Sequence, residues 1–370
     1  AELHRADIDT QNLWLDARAH VVMPWHLVLD GIEERSRSAK AQIGTTRRGI
    51  GPCYTDKAGR RGVRLGDLLR PDVLVDRLTA AADWHDVIFA HFGEPAIDRA
   101  ATLARCESWA AALGERIVDT AAMLEDAVDA GRQVLLEGQL GVMRDLDWGA
   151  YPFVTSSNPT AAFAAAGAGL GAHAIDDVVG VVKAYVTSVG AGPLPTELLG
   201  AEGDHLRTLG GEYGATTGRP RRCGWLDAVA LRYAARRNGV DRVVLTKLDI
   251  LDTIERISVA VAYDVDGVRT ERMPPADALG GCAPVYAHFD GWRADTTAVR
   301  HFDALPPAAQ AYVRAVERLG GVRISHVSVG PDRDAILAVP VMPAPIMTAP
   351  IMPAPIMTVP KMTVPSESTR

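Results

Sequence analysis

Arg242–Leu251 reads RVVLTKLDIL, an apolar run of valine and leucine that breaks off into Thr246-Lys247-Leu248-Asp249. An unbroken apolar run of this length reads as a strand buried on both faces, and such strands belong to parallel sheets covered by helices. The flanking sequence agrees. Asp227–Asn238, upstream, is helical with Asp227 as its N-cap. Downstream, Pro307–Leu319 is helical, and Val322–Val329 is a second apolar strand ending at Gly330-Pro331-Asp332-Arg333. Farther upstream, Gln133–Leu136 reads as a buried strand leading into Glu137-Gly138, and Asp177–Val189 as another β-rich run. Strands alternate with helices, and polar loops stand at strand carboxyl ends. The fold class is therefore α/β, with a mainly parallel central sheet flanked by helices.

The remaining pattern fits this frame. Leu13–Leu15 reads as a short strand, and Val21–Arg35 as a helix with Pro24 in its first turn, where proline is tolerated. Pro71–Phe92 is helical and stops at Gly93. Asp98–Ala130 keeps helical apolar spacing up to Gly131. Ser258–Tyr263 and Val268–Arg272 flank Asp-Val-Asp-Gly as a hairpin. From about Val341 the composition changes to PAPIMTAPIMPAPIMTVPKMTVP, in which prolines recur and remove backbone donors. Residues 1–340 are thus read as one folded domain, and 341–370 as a disordered or extended low-complexity tail.

The 370 residues are 48% apolar and 23% charged, ordinary values for a globular protein, with a net charge of −7. That balance does not favour nucleic acid or anionic membranes as partners. The basic residues cluster instead at Arg47–Arg48, Arg60–Arg64 and Arg219–Arg222, which suits small anionic ligands. Four cysteines, at positions 53, 106, 223 and 282, lie without metal-site or disulfide spacing. A reducing cytoplasm is the expected compartment. No apolar run has transmembrane length and no signal peptide is recognisable. The chain opens Ala-Glu-Leu-His without a methionine, so a natural start upstream is expected.

Two loops combine flexible backbone, hydroxyl donors and fixed positive charge, Gly44–Pro52 (GTTRRGIGP) and Gly214–Asp227 (GATTGRPRRCGWLD), and a third, Tyr151–Asn158 (YPFVTSSN), adds hydroxyl donors. Glycine admits close approach of backbone N–H groups to an anion, and arginine offers a planar fork for carboxylate or phosphate. Thr216, Thr217, Arg219, Arg221 and Arg222 exceed what capping a helix needs, so this loop is read as carboxylate-binding. Thr45, Thr46, Arg48, Lys57, Arg60 and Arg64 form a dense basic stretch, broken only by Asp56, that an anion would neutralise. At the strand end, Asp249 has the two acceptors that N1–H and the 2-amino group of guanine require, and the Lys247 stem can cover the ring. Alone, these four residues equally fit a strand end with a surface ion pair. Ser328 and the Gly330 turn fit either a purine contact or a plain turn.

Taken together, and in this order, the segments resemble adenylosuccinate synthetase. They are GTTRRGIGP, Asp56-Lys57 with Arg60-Arg61-Gly62, Glu137-Gly138, YPFVTSSN, Val189–Pro193, GATTGRPRRCGWLD, TKLD and GPDR. The resemblance covers roughly residues 13–337. It implies a P-loop-NTPase-like ligase fold and a GTP-dependent C–N ligase of purine biosynthesis. In that family the γ-phosphate of GTP moves to the 6-oxygen of IMP, and the amine of L-aspartate then displaces phosphate to give adenylosuccinate. Carried over by motif, Thr46, Thr155 and Arg219 would bind IMP. Arg60 would reach the IMP phosphate of a neighbouring subunit, which implies a homodimer. Thr216, Thr217, Arg219 and Arg221 would bind aspartate. Arg221, Lys247, Asp249, Ser328 and Gly330 would serve GTP, with Lys57 and Arg64 as supporting cations and Mg²⁺ as the expected ion.

The sequence also departs from the family. A GDEGKGK-type phosphate loop and a GHNAGHT-like segment, which supply the family's general base, general acid and magnesium ligand, do not occur in residues 1–43. The chain is therefore read as N-terminally incomplete, without a metal ligand of its own, and as inactive in this form. Exposed strand edges are expected to follow. In Glu137-Gly138-Gln139-Leu140-Gly141, Leu140 stands where the family has glutamine, and Gln139 could support the base only after a register shift. Pro220 interrupts a basic run that is normally continuous. Two alternatives stay open: a non-catalytic purine-nucleotide binding paralogue, and a ligase for a 2-amino purine analogue.

Overall fold

The computed structural model describes residues 5–38, 41–214 and 218–341. Contacts divide the chain at Val339, with Pro340–Arg370 falling outside the main unit. The amino-terminal part is helical around a short parallel pair. Strand β1 (Leu15–Asp16) leads to helices α1 (Pro24–Ser36), α2 (Ile50–Ala58), α3 (Pro71–Phe92) and α4 (Arg99–Leu113). Strand β2 (Ile117–Val118) then pairs with β1, and α5 (Thr120–Asp129) follows. Met23, Trp25, Leu29, Leu68, Leu74, Leu78 and Phe89 form the buried core of this part. Pro24 sits in the first turn of α1, and Gly93 ends α3 with φ 71°.

The long helical reading of Asp98–Ala130 is corrected here. The helix stops at Leu113, Ile117 and Val118 become β2, and Asp119 starts α5 by accepting from the Ala121 and Ala122 backbone N–H groups. Helical spacing passes through this break because its six residues keep Ile117 and Val118 near the apolar phase. A second correction concerns Gln133–Leu136, which is extended chain rather than a strand, with Leu135 89% exposed. An apolar run becomes a strand only when a neighbour supplies the ladder. No described strand pairs with this one.

The carboxyl-terminal part holds the sheets. Its elements are α6 (Ala161–Ala168), β3 (Val179–Lys183), β4 (Val186–Ser188), α7 (Ala201–Gly210), β5 (Arg222–Gly224), β6 (Leu226–Asp227), α8 (Ala228–Asn238) and β7 (Arg242–Thr246). They continue with β8 (Arg256–Val265), β9 (Val268–Thr270), β10 (Ala283–Asp290), α9 (Pro307–Gly320), β11 (Ile324–Ser328) and β12 (Ile336–Ala338). One sheet runs β12-β11-β7-β3, with β11, β7 and β3 parallel and β12 antiparallel at its edge. A second four-stranded sheet runs β10-β8-β6, with β9 closing the expected hairpin on β8, and β4 and β5 form a separate antiparallel pair. Val243, Leu245, Ile324 and Val327 are fully or nearly fully buried and pack in one core with Leu231 of α8 and Tyr312, Val313 and Val316 of α9. Asp227 caps α8 through the Ala230 N–H, as its position in the sequence suggested. Among the described residues, no helix is long and apolar enough to cross a membrane.

Candidate functional site

In an open parallel sheet, ligands bind beyond the carboxyl ends of the strands. Three neighbouring strands end together here. β3 ends at Lys183, β7 at Thr246 and β11 at Ser328. After β7 the chain turns sharply at Lys247, whose φ is +62°, and enters a short 3₁₀ turn at Asp249–Leu251. Ser328 holds this turn: its Oγ accepts from the Lys247 N–H at 3.2 Å and its carbonyl accepts from the Leu248 N–H at 3.1 Å. A Cβ on Gly330 would meet that of Ala335 at 3.2 Å, so glycine lets the turn after β11 fold back tightly.

Asp249 Oδ1 is buried and accepts no hydrogen bond. Burial, with Asp252 nearby, raises the pKa of this carboxyl above the usual range. A buried acceptor without a donor is costly to leave unsatisfied, and here it lies at a strand end beside a lysine.

The two basic loops and the hydroxyl-rich Tyr151–Asn158 loop meet around a fourth segment, Val189–Gly192. Arg219 donates to the Gly44 carbonyl at 3.0 Å, and the Ala191 N–H donates to the Ile43 carbonyl at 3.1 Å. Gly190 sits at φ +82°, and a Cβ there would lie 2.9 Å from the Ile43 oxygen. From the Tyr151–Asn158 side, Arg144 donates to Phe153 O at 2.6 Å, Ser188 Oγ at 2.5 Å and Val189 O at 2.6 Å. Arg222 donates to Gly192 O at 2.8 Å and pairs with Glu197. Arg222 and Arg144 therefore brace the loops through backbone carbonyls.

Carboxylates of α1 hold the Gly44 loop from below. Asp30 accepts from Thr45 Oγ1 at 2.8 Å and from the Gly49 N–H at 2.9 Å, and Glu34 accepts from the Gly44 N–H at 2.6 Å. Being four residues apart, the two acids share one helix face. This leaves Thr46 exposed and Thr155 half-buried.

Glu212, fully buried just after α7, was not singled out in the sequence. Its Oε1 accepts from Lys183 Nζ at 2.7 Å, Tyr185 Oη at 2.7 Å and Lys247 Nζ at 3.0 Å, while its Oε2 accepts from Arg221 Nη1 at 2.7 Å. Burial opposes ionisation, but the bonds from Lys183, Tyr185 and Lys247 outweigh it and bring the carboxyl down to about 2. The only signal in the sequence was an acid directly preceding a basic loop. Lys183 was missed because it reads as the end of an ordinary strand.

Arg60 stands elsewhere. With Lys57 and Arg64 it lines a cleft of about 740 Å³ that Arg18, Arg70 and Arg77 also border. Asp56, read as a lone acid among these charges, is buried behind them. It accepts from His26 Nε2 at 2.9 Å and His85 Nε2 at 2.8 Å. Gln139 is exposed, and Leu140 beside it lies at φ +83° and is 52% exposed. Thr216 and Thr217 lie outside the described residues.

The profile of a family described as adenylosuccinate synthetase matches residues 1–337. The chain belongs to the adenylosuccinate synthetase family. By that membership it is a GTP-dependent ligase of purine nucleotide biosynthesis, joining IMP and L-aspartate. A relative named adenylosuccinate synthetase from Saccharopolyspora erythraea is 48% identical over 336 residues, or 90% of this chain and 78% of its own length. One from Thermobifida fusca is 46% identical over 332 residues, covering 89% of this chain and 78% of its own length. The fully ligated adenylosuccinate synthetase of Plasmodium falciparum superposes with a TM-score of 0.84 at 36% identity, covering 89% of this chain and 78% of that one. A cyanophage S-2L succinoaminodeoxyadenylate synthetase superposes with a TM-score of 0.51 at 21% identity, covering 89% of this chain and 69% of that one, a likeness of fold alone.

Proposed function

We propose that the loops around Val189–Gly192 bind the acceptor substrates and that the β7 and β11 strand ends bind the guanine of GTP. Thr46, Thr155 and Arg219 hold IMP. Thr216, Thr217, Arg219 and Arg221 hold the carboxylates of L-aspartate. Lys247 covers the guanine ring, Asp249 accepts from its N1–H and 2-amino group, and Ser328 and Gly330 close the turn above it. The observation that carries this reading is the buried, undonated Oδ1 of Asp249. Adenine has no donor at either matching position, so the pair distinguishes GTP from ATP.

The Arg60 cleft takes a phosphate of IMP bound to a second copy, with Lys57 and Arg64 as supporting charge, and the working form is a homodimer. Residues 1–340 carry the ligase domain and 341–370 a separate tail. The four free cysteines fit a cytoplasmic enzyme.

Mg²⁺ is the ion expected with GTP, and it needs an octahedral set of oxygens. Asp30, Glu34, Glu197 and Glu212 already accept from N–H, hydroxyl, guanidinium or ammonium groups. The His26–Asp56–His85 group does not suit it either. The Met23 N–H donates to His26 Nδ1 at 2.9 Å, so Nε2 carries the proton and is no ligand. No step is assigned to the ion, and the described residues bind and orient.

The test is adenylosuccinate formation from IMP, L-aspartate and Mg²⁺ with either GTP or ATP. Product with GTP and not with ATP is expected. Equal use of both nucleotides refutes the guanine assignment, and no product with either refutes turnover by this chain.

A further inference from the structure

Glu212 is bonded to both halves of the proposed site. Lys247 leaves the β7 end and donates to Glu212 Oε1 at 3.0 Å and to the Gly210 carbonyl at 2.6 Å. Arg221 leaves the arginine loop and donates to the other oxygen, Oε2, at 2.7 Å. The Arg221 N–H also donates to the Glu212 carbonyl at 2.9 Å, so backbone and side chain both tie the loop to this residue. Lys183 and Tyr185 fix Oε1 from β3 and the segment after it. Three cations thus share one carboxylate whose side chain is 0% exposed, while their own side chains stay 26–35% exposed. A shift of Lys247 moves the negative charge that Arg221 depends on. Few arrangements let this buried carboxylate relax, because Oε1 already accepts three donors and Oε2 is held by Arg221.

We propose that Glu212 is a positioning residue that couples the guanine-reading strand end to the aspartate-binding arginine loop. The inference rests on the assignment of those two groups under Proposed function. Binding of guanine fixes Lys247, Lys247 fixes Glu212, and Glu212 sets the direction in which Arg221 presents its remaining donors. Such coupling is reciprocal between the two ligands.

Two measurements on the full chain test this. The first is hydrogen exchange with and without GTP, which needs no turnover. In the wild type, GTP is expected to protect both Val329–Gly330 and 221–224. In Glu212→Gln it protects Val329–Gly330 alone. The second is steady-state kinetics, in which Glu212→Gln raises KM for GTP and for L-aspartate about tenfold each, leaving KM for IMP within twofold. A merely structural role would lower the melting temperature and move all three KM values together.

Tyr185→Phe removes one neutral donor to Glu212 while keeping the ring, and guards against a Glu212 variant that does not fold. It is expected to raise the same two KM values about threefold. Retained protection of 221–224 by GTP in Glu212→Gln, or unchanged KM values in Tyr185→Phe, overturns the coupling. Absence of protection at Val329–Gly330 in the wild type overturns the guanine assignment first, and the coupling falls with it.

Discussion

Replacing Asp249 by asparagine separates base recognition from folding. The ionised carboxylate offers acceptors to both guanine donors, and each hydrogen bond to a charged group is worth about 1.5–3 kcal/mol. Asparagine keeps one acceptor, now neutral, and turns an N–H₂ toward the other guanine donor. The loss should be roughly 3–4 kcal/mol, or two to three orders of magnitude in kcat/KM for GTP. Xanthine keeps N1–H but has a carbonyl at position 2, which the new amide can donate to. Asp249→Asn should therefore use XTP within about tenfold of the wild-type rate with GTP. The assay is adenylosuccinate formation with each nucleotide in turn, at fixed IMP and L-aspartate. A variant that loses less than threefold with GTP and gains nothing with XTP refutes the reasoning. The free protein should respond in the opposite sense. Burial raises the folded pKa of Asp249 above its unfolded value, so its charge costs stability at neutral pH. That cost disappears as pH falls below the unfolded value of about 4. Asp249→Asn should melt higher than the wild type at pH 7, and the difference should close toward pH 4.

Gly49→Ala should cost roughly 2–4 kcal/mol, because alanine at that φ is strained and also crowds α1. Gly49 lies at φ +76°, and the added Cβ would fall 2.8 Å from the backbone carbon of His26. Chemical denaturation measures this, and a loss below about 0.5 kcal/mol would contradict it. Asp56→Asn removes a buried carboxylate that serves two histidines and should cost roughly 2–4 kcal/mol at pH 7. Burial opposes ionisation of Asp56, but bonds from His26 and His85 outweigh it and hold the folded pKa well below the usual range. Stability from this group is present above the unfolded pKa and is lost as pH falls, so the gap between variant and wild type should narrow below about pH 4. Denaturation midpoints at pH 7 and well below pH 4 decide, and a gap that widens in acid rules the account out. Arg60→Leu should raise KM for IMP at least tenfold and leave KM for GTP unchanged, since Arg60 lines its own cleft. Equal effects on both substrates would refute a separate phosphate role.

The strand Arg242–Thr246 was legible because its three consecutive apolar residues, Val243 to Leu245, stand between helical segments. Asp249 was legible as a candidate because an acid at a strand end, where ligands collect, offers the two acceptors guanine requires. Lys57, Arg60 and Arg64 were legible as one basic group, but their separation from Arg219 was not, because sequence proximity to the Gly44 loop says nothing about direction. Gln133–Leu136 misled because strand propensity is satisfied only by a partner, and propensity cannot report whether one is present. Asp30, Glu34 and Glu212 escaped notice for a related reason. A lone acid in a helix or beside a turn looks solvated, and only tertiary structure brings it under a basic loop.

Those hidden acids explain how the two basic loops stand together before any substrate arrives. Like charges in close loops repel, and solvent screens them poorly once the loops pack. Arg222 has Glu197 as its counter-ion, Arg221 has Glu212, and the Gly44 backbone is drawn toward α1 by Glu34 and Asp30. Each acid comes from an element outside the loop it holds, so the loops are fixed by the scaffold and not by one another. The compensation is incomplete at Glu212, where one negative charge meets Lys183, Lys247 and Arg221. The uncompensated positive charge is concentrated at the strand ends, where anionic substrates would lie. Removing one of those cations should therefore stabilise the free chain relative to its complexes, whereas removing Glu212 should weaken both. That opposition distinguishes charge kept for ligands from charge kept for folding.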